Sequence, residues 1–275
     1  MNRTNWIAAV LFAAIFGGSF MLGENAALFV NGLGLTLVLS GTLGGMFLSY
    51  PASAMLASVR VAHNAYTANP PTPDEVVNAL MDLSVRSRRK GTLALEEYEE
   101  ETTVSFLKRA LTMLVDDYKE DELRDILYTE MYYFRQRRRQ HERVFLHASR
   151  LAPAFGVAGS VVGLIAMLSG IGDPDTILRT IPIALTSTLY GIVLGNFVLA
   201  PIAEAINIKT QNELMTQKLV TDGVIAIRAE QNTFRLARKL ESFLTPAARS
   251  DAEEGTTSFE EIRERVKRLQ LEEEY

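Results

Sequence analysis

Four stretches of this chain run for about twenty residues or more without one charged side chain, the length a helix needs to cross the hydrocarbon core of a bilayer. The first covers residues 4–23, between Arg3 and Glu24. A second lies within 25–59 and is read as 33 to about 56. The third is 151–172, between Arg150 and Asp173, and the fourth is 180–203, ending at Glu204. Core helices of soluble proteins rarely stay uncharged for so long, and here it happens repeatedly. The first stretch could be read as a signal peptide, but its apolar run is long and no small-residue cleavage site precedes Glu24, so it is taken as an anchor. The expected fold class is therefore an all-α membrane protein with four transmembrane helices.

The basic residues orient these spans. Arg60 to Arg150 holds a dense set that includes Arg86, Arg88, Arg89, Lys90 and the run Arg137, Arg138, Arg139, and the tail adds Lys209, Arg228, Arg235, Arg238 and Lys239. The two short connections, 23–32 and 172–180, are mainly acidic or uncharged. Positive charge stays on the cytoplasmic side. Both termini and the long middle region are thus expected in the cytoplasm, with the chain multi-pass in the membrane.

This layout divides the chain into residues 1–59 (spans one and two), 60–149 (a helical cytoplasmic domain), 150–203 (spans three and four) and 204–275 (a helical tail). Within the middle region Thr72, Pro73 and Glu75 form a capping box, and the helix they start carries Val76, Val77, Leu80 and Leu83 at helical spacing and ends at Gly91. A second helical stretch is expected over 93–115. From Glu120 the apolar period has no breaker before Pro153, so that helix should run into the third span. The fourth span should continue past Pro201 to about Leu244. A further capping box at Ser258 and Glu261 begins a charged last helix with no assigned role.

Composition removes several classes of function. There is no cysteine, the three histidines (His63, His141, His147) lack metal-ligand spacing, and the net charge of −5 does not suit a nucleic-acid binder. No phosphate loop, nucleophile elbow or zinc signature is present. No enzymatic activity, no metal site and no cofactor are expected.

The spans themselves contain no Asp, Glu, Lys, Arg or His. Carriers that move protons or cations usually hold an ionisable group within the membrane, so an ion path through this chain needs a carboxylate from another chain. Small residues are plentiful instead. Gly41 and Gly45, Gly159 and Gly163, and Gly191 and Gly195 repeat the GxxxG spacing, which either packs helices tightly or encloses the helices of a partner. Hydroxyls accompany them. Pro153, Gly156 and Ser160 share one face of span three, whereas Thr186, Ser187 and Thr188 point about 100° apart and cannot all face one pore. Each hydroxyl either bonds a carbonyl one turn back or lines a hydrated ion path, the latter weighed for Ser160 and Thr188.

In order along the chain, four runs resemble the MotA/PomA family of flagellar stator subunits, within the MotA/TolQ/ExbB proton channel superfamily. They are the run from Gly34 to Gly45 closing near Pro51, then Ser87-Arg88-Arg89-Lys90-Gly91 with Leu93-Ala94-Leu95-Glu96-Glu97. Ala152-Pro153-Ala154-Phe155-Gly156 and Ala184–Gly191 with Asn196 and Pro201 complete the set. The resemblance implies a homo-pentameric ring around two helices of a MotB-type, peptidoglycan-anchored partner that supplies the ion-carrying Asp. It implies ion-driven torque on the rotor protein FliG through Arg88, Arg89 and Glu96, with Glu97 and Glu99 contributing. It also implies an ion path and gating through Pro153, Ser160, Ser187, Thr188 and Pro201. The resemblance also implies a place in the bacterial inner membrane, and it favours H+ over Na+ as the translocated ion, because Ser160 stands where sodium-driven relatives carry Thr. The alternatives are a MotA-like motor in a non-flagellar envelope or gliding system, or a membrane scaffold without ion flux. Membrane lipid is an expected contact and nucleic acid is not.

Overall fold

The computed structural model describes residues 3–22, 26–67, 71–96, 98, 105–169, 172–229 and 233–243. Those residues are mainly helical, with no strand among them. In chain order they form α1 (Arg3–Met21), a 3-10 turn (Ala26–Phe29), α2 (Gly32–Ser49), α3 (Ala52–Thr67) and α4 (Pro73–Lys90). A second 3-10 turn (Thr92–Leu95), α5 (Ser105–Val115), α6 (Glu120–Ser169) and α7 (Pro174–Val193) follow. A π-helical stretch (Leu194–Leu199), α8 (Ala200–Arg228) and α9 (Thr233–Glu241) complete the order. The chain divides into two compact units, Met1–Ala68 with Arg137–Lys209, and Asn69–Gln136 with Thr210–Tyr275.

Three helices, each wholly or partly in the first unit, are long and apolar enough to cross a membrane (Gly32–Ser49, Glu120–Ser169 and Pro174–Arg228), and α1 adds a shorter apolar run, Val10–Phe20. Their outer faces carry large exposed apolar side chains such as Phe47, Leu48, Ile165 and Leu185. So much exposed hydrocarbon suits lipid or partner helices rather than water. Asn31 starts α2, its side-chain oxygen accepting the Gly34 N–H at 2.9 Å. The helix stops at Ser49, short of the end near Leu56 that hydropathy suggests. Pro51 has no N–H to continue the ladder, and it holds Tyr50 extended at φ −138, ψ 142. An aromatic seam fixes α1. Phe12 and Phe16 each lie 5.4 Å from Phe197, and Phe20 lies 5.0 Å from Phe29.

α6 continues unbroken through Pro153, supplying residues 120–136 to the second unit and 137–169 to the first. Against its first-unit part, Met46 packs with Val144 and Ala148. Ser58 of α3 donates to Ala54 O at 2.7 Å and stands 2.9 Å from His141 Nδ1. Burial, then the neighbouring Arg138, holds the His141 imidazole below its ordinary pKa.

The second unit has its own core, with Val76, Leu80, Leu83, Leu107, Leu111, Leu123, Leu219 and Leu240 fully or nearly fully enclosed. The capping box at the start of α4 is present in both directions. Glu75 N–H donates to Thr72 Oγ1 at 3.3 Å, and Thr72 N–H to Glu75 Oε2 at 3.1 Å. Gly91 ends the helix at φ +80, a conformation side chains rarely adopt. α5 ends in a Schellman motif: Tyr118 N–H reaches Met113 O at 3.1 Å and Asp117 N–H reaches Leu114 O at 3.3 Å, with Asp117 at φ 62. Arg228 clamps that turn, its Nε donating to Tyr118 O at 2.8 Å and its Nη2 pairing with Asp117 Oδ1 at 2.8 Å.

Two expected helices differ. The stretch expected over 93–115 contains a 3-10 turn and α5, with 97 and 99–104 outside the described residues. The helix expected to reach Leu244 ends at Arg228, and a separate α9 follows. No Gly or Pro marks that break. It is set by burial, since α9 places Leu236, Ala237 and Leu240 in the core of the second unit, where α9 meets α4. The helix expected after Ser258 lies outside the described residues.

Candidate functional site

In the first unit α6 and α7 cross with their backbones in close approach, and glycine makes it possible. A methyl group placed on Gly156 would stand 2.9 Å from Ser187 O and 3.2 Å from Gly191 Cα. One on Gly163 would stand 2.8 Å from Ala184 N, and one on Gly159 would stand 2.7 Å from Ser187 Cβ. A methyl on Gly191 of α7 would lie 2.5 Å from Ala152 O, and one on Gly195 of the π-helical stretch would lie 2.6 Å from Ser149 O. α2 joins the same bundle. Gly41 is covered by the Phe155 ring, a methyl on Gly45 would meet Leu151 at 3.0 Å, and one on Gly34 would meet Ser187 Oγ at 2.8 Å. All six glycines of the three GxxxG pairs thus face other helices of the same chain. Gly34 and Gly156, which lie outside those pairs, are as tightly placed.

The hydroxyls divide by position. Ser160 of α6 donates to Ala184 O at 2.5 Å and lies 2.5 Å from Thr188 Oγ1 of α7. With the Ser160 proton committed to that carbonyl, Thr188 is the donor between the two hydroxyls. Its weaker alternative acceptor is Gly156 O at 3.4 Å. Both side chains are half-buried. Ser187 differs. It is 0% exposed, donates to Ile183 O at 2.7 Å and lies against Gly34 and Gly159. Thr186 likewise turns to Pro182 O at 2.6 Å and is buried. Of the three consecutive hydroxyls, Thr188 is the one paired across the crossing, while Ser187 is closed inside the chain's own packing. Each oxygen of the Ser160–Thr188 pair keeps lone pairs that a hard cation or a water can use. Neither hydroxyl can carry a proton as a carboxylate does.

Both prolines lie toward the Gly195 end of this crossing. Pro153 lies inside α6 and cannot bond Ser149 O, and that carbonyl is the atom against which Gly195 packs. Pro201, exposed at the start of α8, follows the π-helical stretch, where the Ala200 N–H reaches back five residues to Gly195 O. In a regular α-helix the Pro201 ring would crowd the Phe197 carbonyl, and a widened turn relieves that contact. The Pro201 carbonyl accepts from the Tyr66 hydroxyl at 3.4 Å. At the other end of the crossing, Tyr190 donates to Phe29 O at 2.5 Å and accepts the Asn31 N–H at 2.8 Å. That tie carries no sequence signal beyond an Asn suited to cap α2. The π-helical turn has only the proline that follows it.

The charged candidates belong to the second unit. Arg88 and Arg89 occupy the exposed last turn of α4, where positive charge complements the helix dipole, and Glu96 is exposed just after the 3-10 turn. Gly91 makes the bend between them. Glu97 and Glu99 lie outside the described residues.

Comparison with known proteins gives a consistent set. Residues 99–218 match the model of the MotA/TolQ/ExbB proton channel family. Over 243 residues the chain is 30% identical to chemotaxis protein PomA of Vibrio alginolyticus, covering 88% of this chain and 93% of that one. It is also 30% identical over 245 residues to motility protein A of Treponema phagedenis, covering 88% and 93%. The fold superposes on the flagellar MotAB stator complex from Bacillus subtilis with a TM-score of 0.81 at 26% identity, covering 91% of this chain and 98% of that one.

Proposed function

The chain belongs to the MotA/TolQ/ExbB proton channel family, and from that premise we propose that it is the ring-forming stator subunit of a bacterial flagellar motor. The observation that carries the reading is the Ser160–Thr188 hydroxyl pair at the α6–α7 crossing, within stretches 151–169 and 180–203 that hold no Asp, Glu, Lys, Arg or His. Such a path can solvate an ion and cannot hold its charge. A MotB-type partner supplies the missing carboxylate, in keeping with the MotAB complex that the fold resembles. Five copies of the chain surround two helices of that peptidoglycan-anchored partner.

Four spans cross the inner membrane, with both termini in the cytoplasm. α1, the apolar helices of the first unit and the distribution of Arg and Lys support this topology. Protons are the translocated ion in preference to sodium, because Ser160 replaces the Thr of sodium-driven relatives. Pro153 and Pro201 gate the path by interrupting the backbone ladder on either side of the Gly195 contact. Ser187 serves the packing of the path rather than its lining. Torque passes to FliG through Arg88, Arg89 and Glu96 with Glu97 and Glu99.

Deletion of the gene tests the reading. Cells should keep intact filaments and lose rotation, and the restored gene should return it. Normal rotation in a strain with no other stator gene would overturn a flagellar role and leave a motor of another envelope process.

A further inference from the structure

We propose that a cavity between α1, α2 and α7 holds one acyl chain of a bilayer phospholipid. The cavity measures about 400 Å3, and its wall includes Phe16, Gly17 and Phe20 of α1, Leu35 and Leu39 of α2, and Val193 of α7. Among the described residues of that wall, Tyr190 is the one with a polar side chain. Its hydroxyl is already committed, donating to Phe29 O and accepting from Asn31 N. A polar ligand would find no free side-chain partner there, and burying it would leave its own groups unpaired. Hydrocarbon suits this wall.

Gly17 is a second and separate observation. A methyl group placed on it would meet nothing within 4 Å, in contrast to Gly156 or Gly191. The chain's own packing therefore does not require glycine at this wall position, although glycine weakens a helix. What the missing side chain provides is width beside α1 for a thin guest.

Size and continuity decide which guest. A helix with its side chains is about 10 Å across, so 400 Å3 would admit only about one turn of it. An acyl chain is far thinner and needs no hydrogen-bond partner. The wall residues Phe29, Leu35, Leu39 and Val198 are also 39–45% exposed on the outer apolar surface. The cavity is thus continuous with the surface that faces hydrocarbon, given that these helices span the membrane, the reading on which this proposal rests.

The test uses the complete chain with its partner, reconstituted in vesicles containing a phospholipid with a diazirine midway along one acyl chain. After illumination, adducts should map to residues 16–20 and 35–39 as well as to Leu48, which is 92% exposed. Gly17→Phe should cut labelling at 35–39 several-fold and leave Leu48 unchanged. Leu39→Trp, narrowing the cavity from the opposite wall, should do the same at 16–20. Gly18→Phe is the control, since Gly18 also has open space around it but does not line the cavity. Labelling of 16–20 and 35–39 that both filling variants leave intact would overturn the proposal, as would labelling of Leu48 alone. An unlabelled Leu48 would remove the membrane reading itself.

Discussion

Gly191 of α7 passes Gly156 of α6 so closely that a methyl group on Gly191 would stand 2.9 Å from the Gly156 α-carbon. The two helices meet there backbone to backbone, with no side chain available to yield. Gly191→Ala must push the helices apart, at about 1–3 kcal/mol for overpacking. Gly44→Ala, at a position inside α2 with nothing within 4 Å, should cost nothing and can gain up to about 1 kcal/mol of helix stability. Thermal melting of the purified complex separates the two, with the Gly191 variant melting lower and the Gly44 variant at or above the parental temperature.

The pairing of Ser160 with Thr188 makes the hydroxyl, not the volume, the quantity to vary. Thr188→Val keeps the shape and removes the oxygen, and Thr188→Ser keeps the oxygen. Losing one hydrogen bond of about 0.5–1.5 kcal/mol along an ion path corresponds to a rate lower by up to about tenfold. Tethered-cell rotation should therefore fall with Val and persist with Ser, at equal amounts of protein in the membrane. Equal speeds for both variants would remove these hydroxyls from the path.

Arg88 and Glu96 are exposed, so their effect on stability should stay within about 0.5 kcal/mol. Arg88→Glu should nevertheless lower stall torque, and an opposite charge swap on the rotor should restore part of it. A torque defect indifferent to every rotor charge would end the electrostatic assignment.

Asp117 holds a left-handed conformation at φ 62 where a Schellman motif normally has glycine. Asp117→Gly relieves about 1 kcal/mol of backbone cost and gives up an exposed pair with Arg228 worth about 0.2–1 kcal/mol. The expected result is a neutral or slightly stabilised protein. Asp117→Val gives up the pair and adds strain, and should melt lower. Denaturation of the two variants side by side checks the sign.

His141 titrates below its ordinary value because burial, and then Arg138, disfavour its charged form. The unfolded chain consequently binds a proton at a higher pH than the folded chain does. Stability is fully present above the usual imidazole pKa of about 6.5 and declines as the pH falls below it toward the folded value. Hydrogen exchange at α3 should quicken over that range, and His141→Asn should flatten the dependence. An unchanged pH profile in that variant would assign the effect to another group.

Where the sequence carries a local device, the structure follows it closely. The limits of α4 were legible because Thr72, Pro73, Glu75 and Gly91 each act within a turn of the helix end. The GxxxG glycines were legible as sites of close helix approach, but not whether a helix of this chain or of a partner would meet each. Hydropathy overran the end of α2, since a window average passes over Pro51, whose effect is steric. The break after Arg228 was invisible because no residue there opposes a helix, and it depends on three side chains of α9 finding a distant core. Helical spacing alone indicated that Thr186, Ser187 and Thr188 could not share one face, but not that Ser187 would be the one enclosed.

The π-helical stretch at 194–199 also bears on how relatives of this chain should be aligned. A widened turn amounts to one extra residue in a helix, and each residue advances the helical phase by about 100°. Homologues that lack the extra residue would keep the register of Gly191 before it and of Ala203 after it only through a one-residue gap in between. An ungapped alignment across this turn would transfer the inward or outward assignment of each side chain to its neighbour. Comparisons of pore-facing and lipid-facing positions between the two sides should therefore be made separately.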